Sequence, residues 1–181
     1  PAAPAAEPPP APPPARSRAK MVFDTARGVC ILHGGADPMT GAPMSDTWEF
    51  NGSSWTNTTN GASMAVRMGH GMAFDSVRTR VVLYGGYPGG FPAIDSNRTW
   101  EYDGTNWTQR TPASSPGAKE AMSMCFHAGI GRTILFGGVD ATPTAPFSAF
   151  PRNWTPLAQS PSRIRWKATF VACCGPWPPR V

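Results

Sequence analysis

Apolar residues in the middle of this chain arrive in short pulses, and the pulses recur. Residues 69 to 86, "GHGMAFDSVRTRVVLYGG", run through an apolar pulse ending in Asp, a short basic turn and a second pulse to a glycine doublet. Residues 21 to 35, "MVFDTARGVCILHGG", and 122 to 138, "MSMCFHAGIGRTILFGG", have the same layout. Phe23, Phe74 and Phe126 stand 51 and 52 residues apart, and so do Gly34, Gly85 and Gly137. In "RVVLYGG", Val81 and Leu83 point to one face and Val82 and Tyr84 to the other. A run that is apolar on both sides predicts a strand packed between neighbouring sheets.

A second phrase follows the first two doublets: "DTWEFNGSSWT" (46 to 56) and "RTWEYDGTNWT" (98 to 108), which puts Trp48 and Trp100, and Trp55 and Trp107, 52 residues apart. Trp100 and Tyr102 alternate with Thr99 and Glu101. Asp103-Gly104, like Asn51-Gly52 before it, predicts a two-residue type I′ hairpin ahead of a return strand that opens at tryptophan. The doublets Gly34-Gly35, Gly85-Gly86 and Gly137-Gly138 predict places where backbones crowd, because only glycine lacks a Cβ. A period near 50 carrying a glycine doublet and a later tryptophan is the pattern of a four-stranded propeller blade, a unit that cannot bury its own faces alone. The expected fold is therefore all-β: a partial β-propeller of about three four-stranded antiparallel blades, the third degenerate.

On these residues, roughly 16 to 138, the chain resembles the kelch-repeat family of β-propellers. The resemblance implies rigid blades whose variable loops bind a protein or a glycan. Copper-radical oxidases of the galactose oxidase type carry similar propellers, which leaves an enzyme platform with its catalytic part outside this chain as the rival reading. The Tyr, His and cross-linked Cys-Tyr chemistry of that group is not assignable to Tyr84, Tyr87 or Tyr102.

The ends differ from the middle. Residues 1–15 are a Pro-rich linker, with 8 prolines in the first 14 positions; the composition suits extended polyproline, with a groove-binding PxxP ligand as the alternative. The repeats occupy 16–155, as 16–58, 67–110 and 118–155. Residues 156–181 fit no strand of a following blade and are expected to be a divergent, poorly ordered tail. Trp154 is the candidate return-strand tryptophan of a shortened third unit. Closed propellers need about 4 to 8 blades, so the chain is expected to be a fragment, an open arc or an assembly closed by another copy.

Charge follows the same geography. The net +5 divides into +2 for residues 1 to 20, +5 for 152 to 181 and −2 for the repeats between them. A tail holding Arg163, Arg165 and Lys167 beside Trp166 offers phosphate contacts and a stacking ring. No nucleic-acid-binding motif accompanies it, and a solvated terminus is the simpler reading. No run reaches the roughly 18 apolar residues of a membrane span. The first residues show no charged-then-apolar signal pattern; a secreted or cell-surface location is the expectation.

The chemistry-bearing residues do not form a constellation. Cys30 and Cys125 stand at apolar strand positions and are expected to be buried free thiols; adjacent Cys173 and Cys174 lack zinc-ligand spacing. His33, His70 and His127 fall at different places in the repeat and are not expected to converge, so no metal or other cofactor is assigned. Glu49 and Glu101 recur at equivalent positions, which suits polar residues on the exposed side of a strand better than an acid/base pair. No GxSxG elbow or phosphate-binding glycine loop is present. Of the sequons at Asn51, Asn57, Asn97, Asn106 and Asn153, three lie in the hairpin phrase, where turn chemistry already explains them.

What remains is the least repetitive sequence, 36 to 46, 87 to 98 and 139 to 152, expected to emerge as loops on one face. Met39, Met44, Tyr87, Phe91 and Phe147 would form an apolar contact surface there, edged by Asp37, Asp95 and Asp140. The alternative is that these residues fold back over the blades. The expected role is non-enzymatic binding or scaffolding, with no catalytic residues.

Overall fold

A computed structural model describes residues 11–60, 64, 66–89 and 97–140. The chain is all-β. Strands β1 (Lys20–Asp24), β2 (Val29–His33), β3 (Thr47–Phe50) and β4 (Trp55–Asn57) form one antiparallel sheet in the order β1-β2-β3-β4. Strands β5 (Gly71–Asp75), β6 (Arg80–Tyr84), β7 (Thr99–Tyr102) and β8 (Trp107–Arg110) repeat that meander. In the described residues the third sheet has two strands, β9 (Lys119–His127) and β10 (Arg132–Asp140), joined through a 3₁₀ turn at Ala128–Ile130. Register repeats with sequence: Val22 pairs with Ile31, Ala73 with Val82 and Cys125 with Ile134.

The sheets stack face on face, as successive blades do. Ile31 on β2 meets Met72, Val81, Leu83, Tyr102 and Trp107 of the second sheet in one core, with Val22, Val29, Phe74 and Trp100 around it. Val82 and Tyr84, on the opposite face of that sheet, meet Met122, Leu135 and Met124 of the third. All four apolar residues of β6 are buried, as the two-sided pattern requires. At the first junction, Trp107 Nε1 donates to Thr47 Oγ1 (2.9 Å), and Tyr102 OH donates to Glu49 Oε1 (3.2 Å). A buried indole N–H thereby finds its partner across the seam.

The glycine doublets bind one sheet to the next. Gly35 N–H donates to Arg67 O and Gly86 N–H to Lys119 O, both at 2.9 Å. Every doublet residue has positive φ, and a Cβ on Gly86 would stand 2.8 Å from His70 Cβ. A second left-handed position also repeats: Arg18, Gly69 and Ala121 have φ of 54°, 66° and 56°. Arg18 O accepts from Gly69 N and Gly69 O from Ala121 N, which threads a backbone bond through all three units.

Both hairpin turns, after β3 and after β7, differ from expectation. The β7–β8 connection is four residues, not two: only Gly104 has positive φ (99°), and Asp103 N–H donates to Asn106 O at 3.3 Å. The Asp103 carboxylate takes the N–H groups of Thr105 and Asn106 at 2.8 and 2.7 Å, a local bond that competes with the two-residue turn. Asn51 does the same for Ser53 and Ser54, at 2.9 Å each. These hydrogen bonds hold the Asp103 carboxyl below its ordinary pKa against the opposing effect of burial.

Candidate binding face

The loop after β2 is built on Asp37. Its Oδ1 accepts the N–H groups of Met39 and Thr40 at 2.8 Å each, which lowers the carboxyl pKa, and Gly41 closes the turn with φ 71°. The turn lifts Met39 into solvent at 91% exposure. Both ends of the loop are pinned. Ala36 bridges Ser17 and Pro43, and Arg16 clamps Asp46 through both carboxylate oxygens at 2.7 and 2.8 Å. Trp48 Nε1 adds a third bond to Asp46 at 2.6 Å. Burial opposes ionisation of Asp46, but these bonds and the Arg16 charge outweigh it and lower the pKa.

The loop after β6 starts alongside. Tyr87 and Met68 exchange backbone hydrogen bonds of 2.8 and 3.0 Å. A Cβ on Gly89 would lie 2.7 Å from Pro43 Cγ, so the two loops touch. Met44 adjoins that contact in the chain; its N–H donates to Gly35 O and its carbonyl accepts from Arg67 N–H. Of the eight expected surface residues, the structure brings Asp37, Met39, Met44 and Tyr87 to neighbouring loops. Phe91, Asp95 and Phe147 lie outside the described residues. Asp140 is not in a loop: β10 runs on through Gly137-Gly138 and ends at Asp140, which pairs in register with Lys119. The ladder to β9 extends the strand there, which the doublet alone does not signal.

Two histidines expected to lie apart meet at the first seam. The His33 and His70 rings are 5.6 Å apart in a T-shaped arrangement, and both residues are fully buried. His33 ends β2 while His70 precedes β5, so different repeat positions on adjacent sheets converge; a comparison within one repeat does not reveal that. His33 Nδ1 bonds Thr47 Oγ1 at 2.9 Å. His33 Nε2 and both His70 ring nitrogens make no hydrogen bond among the described residues. Burial, then the Arg67 charge, pushes His33 down to about 3; burial, His33 and Arg67 push His70 well below its ordinary value. The pair is neutral at pH 7. Arg67 beside it disfavours a bound cation.

The recurrent glutamates are not on an exposed side either. Glu101 is buried and accepts from Arg78 Nη1 and, at 2.9 Å, from Arg110 Nε. Arg78 Nε also donates to Asp75 at 2.7 Å. The first sheet carries the same triad: Arg27 donates to Asp24 at 2.8 Å and to Glu49 at 2.7 Å. Burial works to lower the Arg78 pKa, but the bonds and charges of Glu101 and Asp75 outweigh it and raise it. The Asp-x-x-Arg spacing at 24/27 and 75/78 repeats with the period and marks these triads in the sequence.

Beside the second triad, Asp75, Val77, Arg78, Ile130, Gly131 and Arg132 line an open cleft of about 270 Å³ between the second and third sheets. Cys30 and Cys125 form no disulfide among the described residues and are only partly buried, because each lies on an outward face of an end sheet rather than in a core. Among the described residues no group of three or more His, Cys, Asp or Glu is placed to hold a metal, and no helix is long and apolar enough to cross a membrane. No protein-family model matches the chain, and no curated protein matches it.

Proposed function

We propose that the chain is a kelch-type repeat module that binds without catalysis, using the loops after β2 and β6 to recognise another protein, with a glycan as the other ligand class such loops suit. The observation that carries this reading is the pinned loop pair: Met39 is held in solvent by a turn fastened at Asp37 and Asp46, next to the start of the loop that contains Tyr87. An exposed apolar side chain on a preorganised turn loses little freedom on binding and gains buried area. The test is a displayed peptide library and a printed glycan array, each probed with the full chain and with Met39→Lys and Tyr87→Ala variants. Ligands retained by the parent and lost by both variants, at unchanged melting temperature, support the reading. Ligands indifferent to both substitutions, or none on either surface, overturn it.

A further inference from the structure

The second sheet buries a face made of Met72, Phe74, Val81, Leu83, Trp100, Tyr102 and Trp107 against the first. Shifted back by one repeat, the same positions of the first sheet are Met21, Phe23, Cys30, Leu32, Trp48, Phe50 and Trp55. The chemistry is that of an interior at all seven positions. The exposure is not: Met21 is 57% and Phe23 53% exposed, and the other five are partly exposed. The match extends to geometry. Phe50 and Trp55 stack with centroids 5.1 Å apart and a 36° tilt, against 5.0 Å and 31° for Tyr102 and Trp107. A contiguous apolar face of this kind marks an interface.

Its complement is defined inside the chain. What covers this face in the second sheet is the opposite face of a neighbour, built on Val22 and Ile31. Among the described residues the third sheet presents that face outward, with Cys125 and Ile134 at the Val22 and Ile31 positions, beside exposed Ser123 and Phe136.

We propose that two copies of this chain associate head to tail, the first sheet of each packing on the outward face of the third sheet of the other. The contact is heterologous, and such contacts close only when the rotation permits. Two copies of three sheets make a ring of about six blades, within the range of about 4 to 8 that propellers adopt. The inference rests on the blade reading of the sheets and is independent of what the loops bind.

Sedimentation velocity on the full chain reads it directly, as a species of twice 19.3 kDa. Phe23→Glu or Met21→Glu puts a charge on the exposed first face, and Ile134→Glu or Ser123→Glu on the third sheet. Each is expected to weaken dimerisation about a hundredfold, with the thermal melt confirming that the variant folds. Mixing Phe23→Glu with Ser123→Glu restores one intact junction and is expected to return a dimer. A parent chain that stays monomeric at about 100 μM, a concentration that populates even micromolar dimers, overturns the proposal. So does a dimer that survives both first-sheet substitutions. A dimer lost with Phe23→Glu but kept with Ile134→Glu and Ser123→Glu means first face on first face, which also overturns it.

Discussion

Mild acid is expected to destabilise this protein through His33 and His70. The folded state holds both rings neutral, with His33 pushed down to about 3 and His70 well below its ordinary value by burial and the nearby Arg67 charge; Lys20 and Arg16 add to the repulsion, and only Asp46 opposes it for His33. The unfolded chain binds a proton on each at about pH 6.5. Below that pH the unfolded state therefore holds more protons, and stability falls as pH falls, by about 1.4 kcal/mol per unit for each ring. From about pH 6.5 to about pH 5 the loss is about 2 kcal/mol per histidine and about 4 for the pair, a large part of the about 5–15 kcal/mol a domain has. The depressed carboxyls of Asp37, Asp46 and Asp103 act below about pH 4 and stay out of this window. With a urea slope of about 2 kcal/mol per molar, the midpoint should fall by about 2 M between pH 7.5 and pH 5. In His70→Leu the fall should be about half as large, because one proton is removed from the linkage. Midpoints that agree at the two pH values, or a variant with the parent's full slope, refute the reasoning.

Four substitutions test the repeat's backbone and seam. Thr79 sits exposed at φ 52°, where the matching residues of the other units are Gly28 and Gly131, so Thr79→Gly should raise stability by up to about 1 kcal/mol in urea denaturation. Gly86→Ala adds a methyl 2.8 Å from His70 Cβ at φ 91° and should cost about 2 kcal/mol or more; Gly28→Ala, with nothing within 4 Å, should cost only about 1 from backbone strain. Equal losses at the two glycines would mean that the crowding carries no energy. Trp107→Phe removes the N–H that crosses to Thr47 and should lower stability by about 1–3 kcal/mol, read as a drop in the melting midpoint.

The strands and their register were legible because burial of both faces forces a repeated apolar pattern: Val22, Ala73 and Cys125 stand opposite Ile31, Val82 and Ile134. Tryptophans Trp55 and Trp107 open their return strands as expected. The turn ahead of Trp107 is less legible: Asp-Gly speaks for a two-residue turn, while the Asp103 side chain, reaching two N–H groups onward, selects a longer loop. The loop site was legible only as a location. Asp37 and Met39 declare a turn, but that Gly89 abuts Pro43 depends on how two sheets are rotated about each other, which no residue within either loop encodes.

The histidine pair and the uncovered first face follow from one property of stacked repeats. An interior sheet buries two faces against two different neighbours, so periodicity within the chain defines what a face is but not what lies across from it. His33 and His70 meet because unlike positions face each other across a seam. Met21 and Phe23 stay exposed because they repeat Met72 and Phe74 while no sheet among the described residues covers them. Where the partner is inside the chain, the mismatch appears as buried polar atoms; where it is not, as exposed apolar ones. An arc with interior chemistry on its first face has its missing neighbour's shape written into its own second sheet, and a copy of itself presents a face of that kind.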